Sequence, residues 1–247
     1  MIKQAYVSES VADFPFREKF NLGSYSNINE PSIFFGMYRN EDIIAVKKHK
    51  GMKVIYWCGH DCLDNSMESY SDCYHITPLP TVKKHLDRIN KSCILIKPPP
   101  VAGNVLAKGT SIYVYCPRDA QSYHRKDIID SLEINYPMII GEGIISQKNW
   151  PLVSDDFYSK CFLGLVLNPH AGGGSTICEL GVRGIRVVTN VFSLPHCIAW
   201  NKIEDIEMAI EIESKEIGKK DIILSNQVKE CFDYEYEFLK LSFYEST

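Results

Sequence analysis

The chain has 247 residues, 45% hydrophobic and 23% charged, with 27 Lys and Arg against 31 Asp and Glu for a formal net charge of −4. These are globular values, and the length suits one large domain or two small lobes. The acid surplus argues against a general nucleic-acid partner, no apolar run reaches the length of a transmembrane segment, and nine cysteines behind a start (MIKQAYVSESVADF) unlike a signal peptide point to reduced thiols in the cytoplasm. The first 30 residues carry few signals beyond a short strand at Gln4–Val7 and the phenylalanines Phe14, Phe16 and Phe20, which suit packing on a first lobe. From residue 32 a strand–helix alternation begins. Ser32–Tyr38 (SIFFGMY) reads as a buried strand, and Asn40–His49 as a helix capped by Asn40 and stopped by Gly51. Lys53–Cys58 (KVIYWC) is a second buried strand, ending in the turn Gly59-His60-Asp61. Cys73–Thr77 is a third strand, Thr81–Asn90 a helix and Ser92–Lys97 a fourth strand. Pro98-Pro99-Pro100-Val101-Ala102-Gly103 is a stiff connector and the best domain boundary. The alternation then restarts with strand Ser111–Cys116, helix His124–Leu132, strand Pro137–Ile140, a short helix at Asp155–Lys160 and strand Leu163–Leu167. Helix Ser175–Arg183, strand Arg186–Asn190, helix Ile203–Ile212 and an amphipathic stretch Asn226–Leu241 complete it.

This order predicts an α/β protein of two small doubly wound, Rossmann-like lobes. Residues 1–98, joined by a returning helix at 226–247, form the first, and residues 99–225 the second. Ligands of such sheets sit beyond the carboxyl ends of the strands. Four turns follow strand ends: Gly59-His60-Asp61, the Arg118 turn, Gly141-Glu142-Gly143 and the glycine turn at 171–174. Two lobes facing each other would gather them around one cleft.

The stretch 162–190, FLGLVLNPHAGGGSTICELGVRGIRVVTN, is the most informative. Its glycines run straight into Ser175-Thr176, where a helix start would offer free N–H groups and a positive dipole end to a phosphate or diphosphate. Glu179 lies about one turn further in, placed to take ribose hydroxyls. A glycine run before a helix is equally the mark of a plain tight turn. Neither a Gly-Lys-Ser/Thr phosphate loop nor a Gly-x-Gly-x-x-Gly fingerprint is present.

NPHAGGGSTICELGVRGIRVVTN resembles a segment of glycosyltransferases with two Rossmann-like lobes (the GT-B type), in which a small-residue turn precedes a helix carrying an acid, then a glycine and a buried strand. Ile185-Arg186 replaces the usual small residue–proline pair. WCGHD (Trp57–Asp61) resembles the W-x-G-x-D strand end of several such enzymes, including short ones of large viruses and bacteria. The resemblance implies that Gly172, Gly173, Gly174, Ser175 and Thr176 contact a donor diphosphate and that Glu179 binds the donor ribose. It also implies a cation after the first strand of the second lobe, for which Arg118, Arg125 and Lys126 are candidates. The implied function is transfer of a sugar from a UDP or GDP donor to a glycan or other hydroxyl acceptor, with neither metal nor cofactor.

Transfer needs a base for the acceptor hydroxyl, and Asp61, then His60, are the candidates. The competing reading makes Asp61 a cap for a helix starting near Leu63. His170 would touch donor sugar or phosphate, or serve as an ordinary turn residue. Glu142 would lie near base or ribose, or only add polarity to its turn, and base recognition is expected within Gly143–Gln147. Cys58, His60, Cys62, Cys73 and His75 offer zinc-type ligands but lack C-x-x-C spacing. A non-catalytic nucleotide or sugar-phosphate module, and another α/β sugar-nucleotide enzyme such as an epimerase, are the rival functions.

Overall fold

A computed structural model describes residues 2–11, 16–62, 70–141, 154–169, 175–190 and 194–241, with the backbone alone at His60 and Asp119. The chain divides into two compact units, residues 1–99 with 233–247, and residues 100–232. In the first, strands β1 (Gln4–Val7), β2 (Gly23–Ser24), β3 (Ser32–Phe35), β4 (Lys53–Tyr56), β5 (Tyr74–Thr77) and β6 (Cys93–Leu95) form a parallel sheet ordered β2-β1-β3-β4-β5-β6. Strand side chains alternate between faces. Ile33, Phe35, Val54 and Tyr56 meet Phe16 of α1 (Phe16–Lys19), Phe20 and Phe238. Phe34, Ile55 and Trp57 meet Val46 of α2 (Asn40–Lys48) and Val82 and Leu86 of α3 (Pro80–Arg88). Both faces are covered, which is why the strands read as unbroken apolar runs.

The second unit contains β7 (Ser111–Tyr115), α4 (Lys126–Ser131), β8 (Met138–Gly141), α5 (Asp155–Tyr158), β9 (Cys161–Val166), α6 (Ser175–Val182), β10 (Arg186–Thr189), β11 (Cys197–Ala199), α7 (Ile203–Ser214) and α8 (Ile222–Glu230). Its parallel sheet is ordered β11-β10-β9-β7-β8. On one face Ile128 and Ile129 of α4 and Ile206 and Ile210 of α7 cover Ile112, Val114 and Leu165. On the other, Ile177 and Leu180 of α6 and Val228 of α8 cover Tyr113, Val166 and Val187. Both units thus share one plan. The second strand lies at an edge outside the first, and the third pairs with the first on its inner side. The winding reverses between β1 and β3 and again between β7 and β9, and such a reversal opens a crevice at the strand carboxyl ends.

Several boundaries differ from the sequence reading, each for a physical reason. The strand expected over Ser32–Tyr38 ends at Phe35, because Gly36 turns the chain at φ +74°. Helix α2 is capped at Arg39, not Asn40, and ends in extended backbone at His49 without help from Gly51. The returning helix expected at 226–247 is divided. Its first part is α8, which starts earlier, at Ile222, where the Asp221 carboxylate accepts the Leu224 N–H at 2.9 Å. It belongs to the second unit, and its Ser225 hydroxyl donates to the Val182 carbonyl at 2.6 Å. The chain rejoins the first unit at Asp233, whose N–H donates to the Pro98 carbonyl at 3.0 Å. A 3-10 turn at Glu237–Lys240 then sets Phe238 edge-on against Phe20, while Tyr234 stays exposed. The short edge strands β2 and β11 carry too few residues to stand out in the sequence. Among the described residues no helix is long and apolar enough to cross a membrane.

Candidate functional site

The carboxyl ends of β7 and β9 flank the winding reversal of the second unit. The two strands pair side by side, with Val114 opposite Leu165, and β8 adds Gly141 opposite Tyr115. Beyond β7 the chain passes Cys116 and Pro117 to Arg118, which opens a 3-10 turn and is exposed. Beyond β9 it reaches α6, which opens with exposed Ser175 and partly exposed Thr176. The first N–H groups of a helix have no partner inside it, and with them comes the positive end of the helix dipole. Arg118, Ser175 and Thr176 therefore follow neighbouring strand ends. Glu142, His170, Gly172, Gly173, Gly174 and the stretch 143–147 lie outside the described residues. Of the other two cation candidates, Arg125, the N-cap of α4, pairs with Asp127 at 3.1 Å, and Lys126, its first residue, pairs with Asp130.

A set of long-range contacts holds α6 in place. The His196 ring is fully buried, and its Nε2–H donates to the Ile177 carbonyl in the first turn of the helix at 2.7 Å. The ring lies against Gly181, where a Cβ would come within 2.6 Å of it, so only glycine permits the contact. Glu179, one turn in, is partly exposed and its Oε2 accepts the Tyr158 hydroxyl at 2.6 Å. Arg183 lies over the Tyr158 ring, 4.7 Å from its centroid, donates to the Glu179 carbonyl at 2.8 Å, and pairs with Asp155 at 2.7 Å. The Asn104 amide donates to Asp155 as well, and these contacts hold the Asp155 carboxyl below its ordinary range. Local spacing does not reveal Tyr158 or His196, because each meets α6 only through strand pairing.

In the first unit Asp61 is fully buried. Its carboxylate accepts three backbone N–H groups: Met37 at 3.1 Å, Cys58 at 3.3 Å and Gly59 at 2.8 Å. It stands in a 3-10 turn, His60–Cys62, and fastens the turns that leave β3 and β4. A carboxylate that solvent does not reach and whose lone pairs serve three amides is an anchor before it is a proton acceptor. Asp42, which sequence spacing does not single out, does the same work nearby. It accepts the Ser8 hydroxyl at 2.7 Å, the Tyr6 hydroxyl at 2.9 Å, and the N–H groups of Tyr38 and Arg39 at 3.0 and 2.8 Å. Burial, with the hydrogen bond to Asp42, pushes the Tyr6 phenol up to about 12.

The cysteines form no disulfide, and burial pushes the thiols of Cys58, Cys73, Cys93, Cys161 and Cys197 up, so they are poor nucleophiles. Cys58, Cys62, Cys73 and His75 do not converge, and among the described residues no three His, Cys, Asp or Glu side chains are arranged to hold a metal ion. His75 instead accepts the Trp57 indole N–H on Nδ1 at 3.1 Å.

Burial lowers both His75 and His196 to about 4. The unfolded chain binds protons at these histidines from about pH 6.5 downward while the folded chain does not, so acid favours unfolding. Stability is expected to fall as pH drops from about 6.5 toward 5, by up to about 1.4 kcal/mol per pH unit for each histidine. Urea midpoints at pH 7, 6 and 5 check this, and a flat profile across that window contradicts it.

No protein-family model matches the chain, and no curated protein sequence matches it.

Proposed function

We propose that the chain is a glycosyltransferase that moves a sugar from a UDP or GDP donor to a glycan or other hydroxyl acceptor without a metal ion, in the cytoplasm. One observation carries the reading: α6, whose start follows the glycine stretch that resembles a donor-diphosphate segment in sequence, comes after β9 at the winding reversal, next to the strand that Arg118 follows. In this reading the α6 amides at Ser175 and Thr176, with Gly172, Gly173 and Gly174 before them, take the diphosphate. Arg118 offsets the charge that grows on the leaving group, and Glu179 accepts the ribose hydroxyls. His170 and Glu142 complete the donor pocket. Nine cysteines, none of them in a disulfide, suit a reducing compartment.

For the acceptor, the burial and three amide bonds of Asp61 support His60 as the base that removes the hydroxyl proton. Asp61 then holds the turn from which His60 acts.

A thermal-shift screen with UDP, GDP, NAD and sugar phosphates tests the reading. UDP or GDP at about a hundred times its dissociation constant should raise apparent stability by about 2.7 kcal/mol. The stabilising nucleotide's sugar conjugate should then be hydrolysed slowly in the absence of acceptor. Stabilisation by NAD alone overturns the assignment.

The same commitment of Asp61 favours a second reading, a nucleotide-binding module without catalysis. His60→Ala separates the two. An enzyme loses turnover and keeps nucleotide affinity, whereas a module shows no turnover before the change.

A further inference from the structure

We propose that Tyr158 is a positioning residue that sets the Glu179 carboxylate for a nucleotide's ribose, an inference that rests on the donor site proposed above. Tyr158 comes from the end of α5, on the chain entering β9, and its side chain is fully buried. Its hydroxyl has one acceptor among the described residues, Glu179 Oε2, at 2.6 Å. A charge-assisted hydrogen bond of that length fixes both the rotamer of the glutamate and the plane of its carboxylate. Oε1 then has no hydrogen-bond partner among the described residues, on a side chain that is partly exposed. One anchored oxygen and one open oxygen suit a vicinal diol, whose two hydroxyls need a fixed acceptor.

The tyrosine is itself held from three sides. The Arg183 guanidinium covers one face of the ring, and Tyr113 and Phe157 stand edge-on at 5.9 and 5.7 Å. Arg183 is in turn tied to the Glu179 carbonyl and to Asp155, so the ring and the helix it serves are braced by the same guanidinium. Burial pushes the Tyr158 phenol well above its ordinary value, so it remains a donor at any working pH. A side chain held only for packing needs no hydroxyl here, since phenylalanine fills the same space.

The test compares UDP and GDP with their 2′,3′-dideoxy counterparts by titration calorimetry on the full chain. The wild type should bind the ribose form at least tenfold more tightly than the dideoxy form. Tyr158→Phe keeps the ring and its contacts. It should leave dideoxy affinity within about twofold and cut the ribose advantage five- to tenfold. Glu179→Asp gives a second arm that does not touch the buried ring. It keeps the charge but withdraws the carboxylate from the Tyr158 hydroxyl, and it should lose the ribose advantage to the same degree. Combining the two changes should add nothing further. Equal losses for ribose and dideoxy nucleotides in Tyr158→Phe would make the role merely structural and overturn the inference. So would a full ribose advantage in Glu179→Asp. A wild type that discriminates against dideoxy nucleotides while Tyr158→Phe does so equally well sinks this inference alone. A wild type that binds neither UDP nor GDP sinks the donor site, and this inference with it.

Discussion

Asp42→Ala is expected to cost the first unit about 3–5 kcal/mol, because it strips the acceptor from four donors at once. The side chain is 1% exposed. Its Oδ2 takes the Ser8 hydroxyl, the Tyr38 N–H and the Arg39 N–H, and its Oδ1 takes the Tyr6 hydroxyl. Ser8 follows β1, and Tyr38 and Arg39 join β3 to α2, so one carboxylate ties together the two strand ends that flank the winding reversal and caps the helix that follows β3. A buried donor left without an acceptor costs roughly 1–3 kcal/mol. Tyr6 and the two N–H groups are only part-buried and regain water, whereas Ser8 has no exposure and does not. Asp42→Asn should cost about half as much, since it keeps an acceptor oxygen but turns an amide NH2 toward other donors. Hydrogen exchange read peptide by peptide should show the loss in β1, β3 and β4 and leave β9 and β10 unchanged. A loss under about 1 kcal/mol for Asp42→Ala would mean that the network is not what holds these ends.

The second large effect is expected at Gly109. A Cβ built there would lie 2.1 Å from the Lys160 carbonyl carbon and 2.2 Å from its oxygen. These are backbone atoms, so no rotamer change relieves the clash. The residue sits where the chain enters β7: its N–H donates to the Cys161 carbonyl at 3.0 Å, and the Ser111 N–H donates to that of Lys160 at 2.8 Å. The pairing of β7 with β9 shifts register next to this site, between Ser111 and Ile112. Gly109→Ala must therefore push apart the two central strands of the second sheet. The expected cost is about 3 kcal/mol or more, at the upper end of overpacking effects. The same strands lead to Arg118 and to α6 at their far ends, so on the donor site proposed above any nucleotide stabilisation should fall with the fold. Chemical denaturation checks the first part and thermal shift with UDP or GDP the second. A midpoint within error of the wild type would show that the backbone yields at little cost.

The strand–helix alternation was legible because both sheets are parallel and covered on each face. Buried strands then become apolar runs such as KVIY and CFLGLV, separated by helices with a polar side. The ends of the runs were not legible. SIFFGMY and KVIYWC each continue past their strands, since Met37 and Cys58 are as apolar as the residues before them. Their N–H groups go to Asp61, not to a neighbouring strand. Short elements at sheet edges, β2 and β11, were hidden because two or three residues carry no period.

Length, composition and hydrophobic period by themselves determined that this chain builds parallel α/β layers, with a break at the proline connector and a helix starting at Ser175. Those features depend on residues close in sequence, where backbone preference and burial act directly. Only the tertiary structure decided that Asp61 and Asp42 spend their charge on backbone amides and that Glu179 leans on Tyr158. The same holds for His196, which supports the helix that Glu179 rides on. Four of those contacts show the spread in separation: 3 residues for Arg39–Asp42, 19 for Ile177–His196, 21 for Tyr158–Glu179 and 24 for Met37–Asp61. Except for the first, they meet only after strands have paired. A hydrogen bond acts over about 3 Å, so which acceptor a donor finds is settled by strand order and register and not by sequence neighbours.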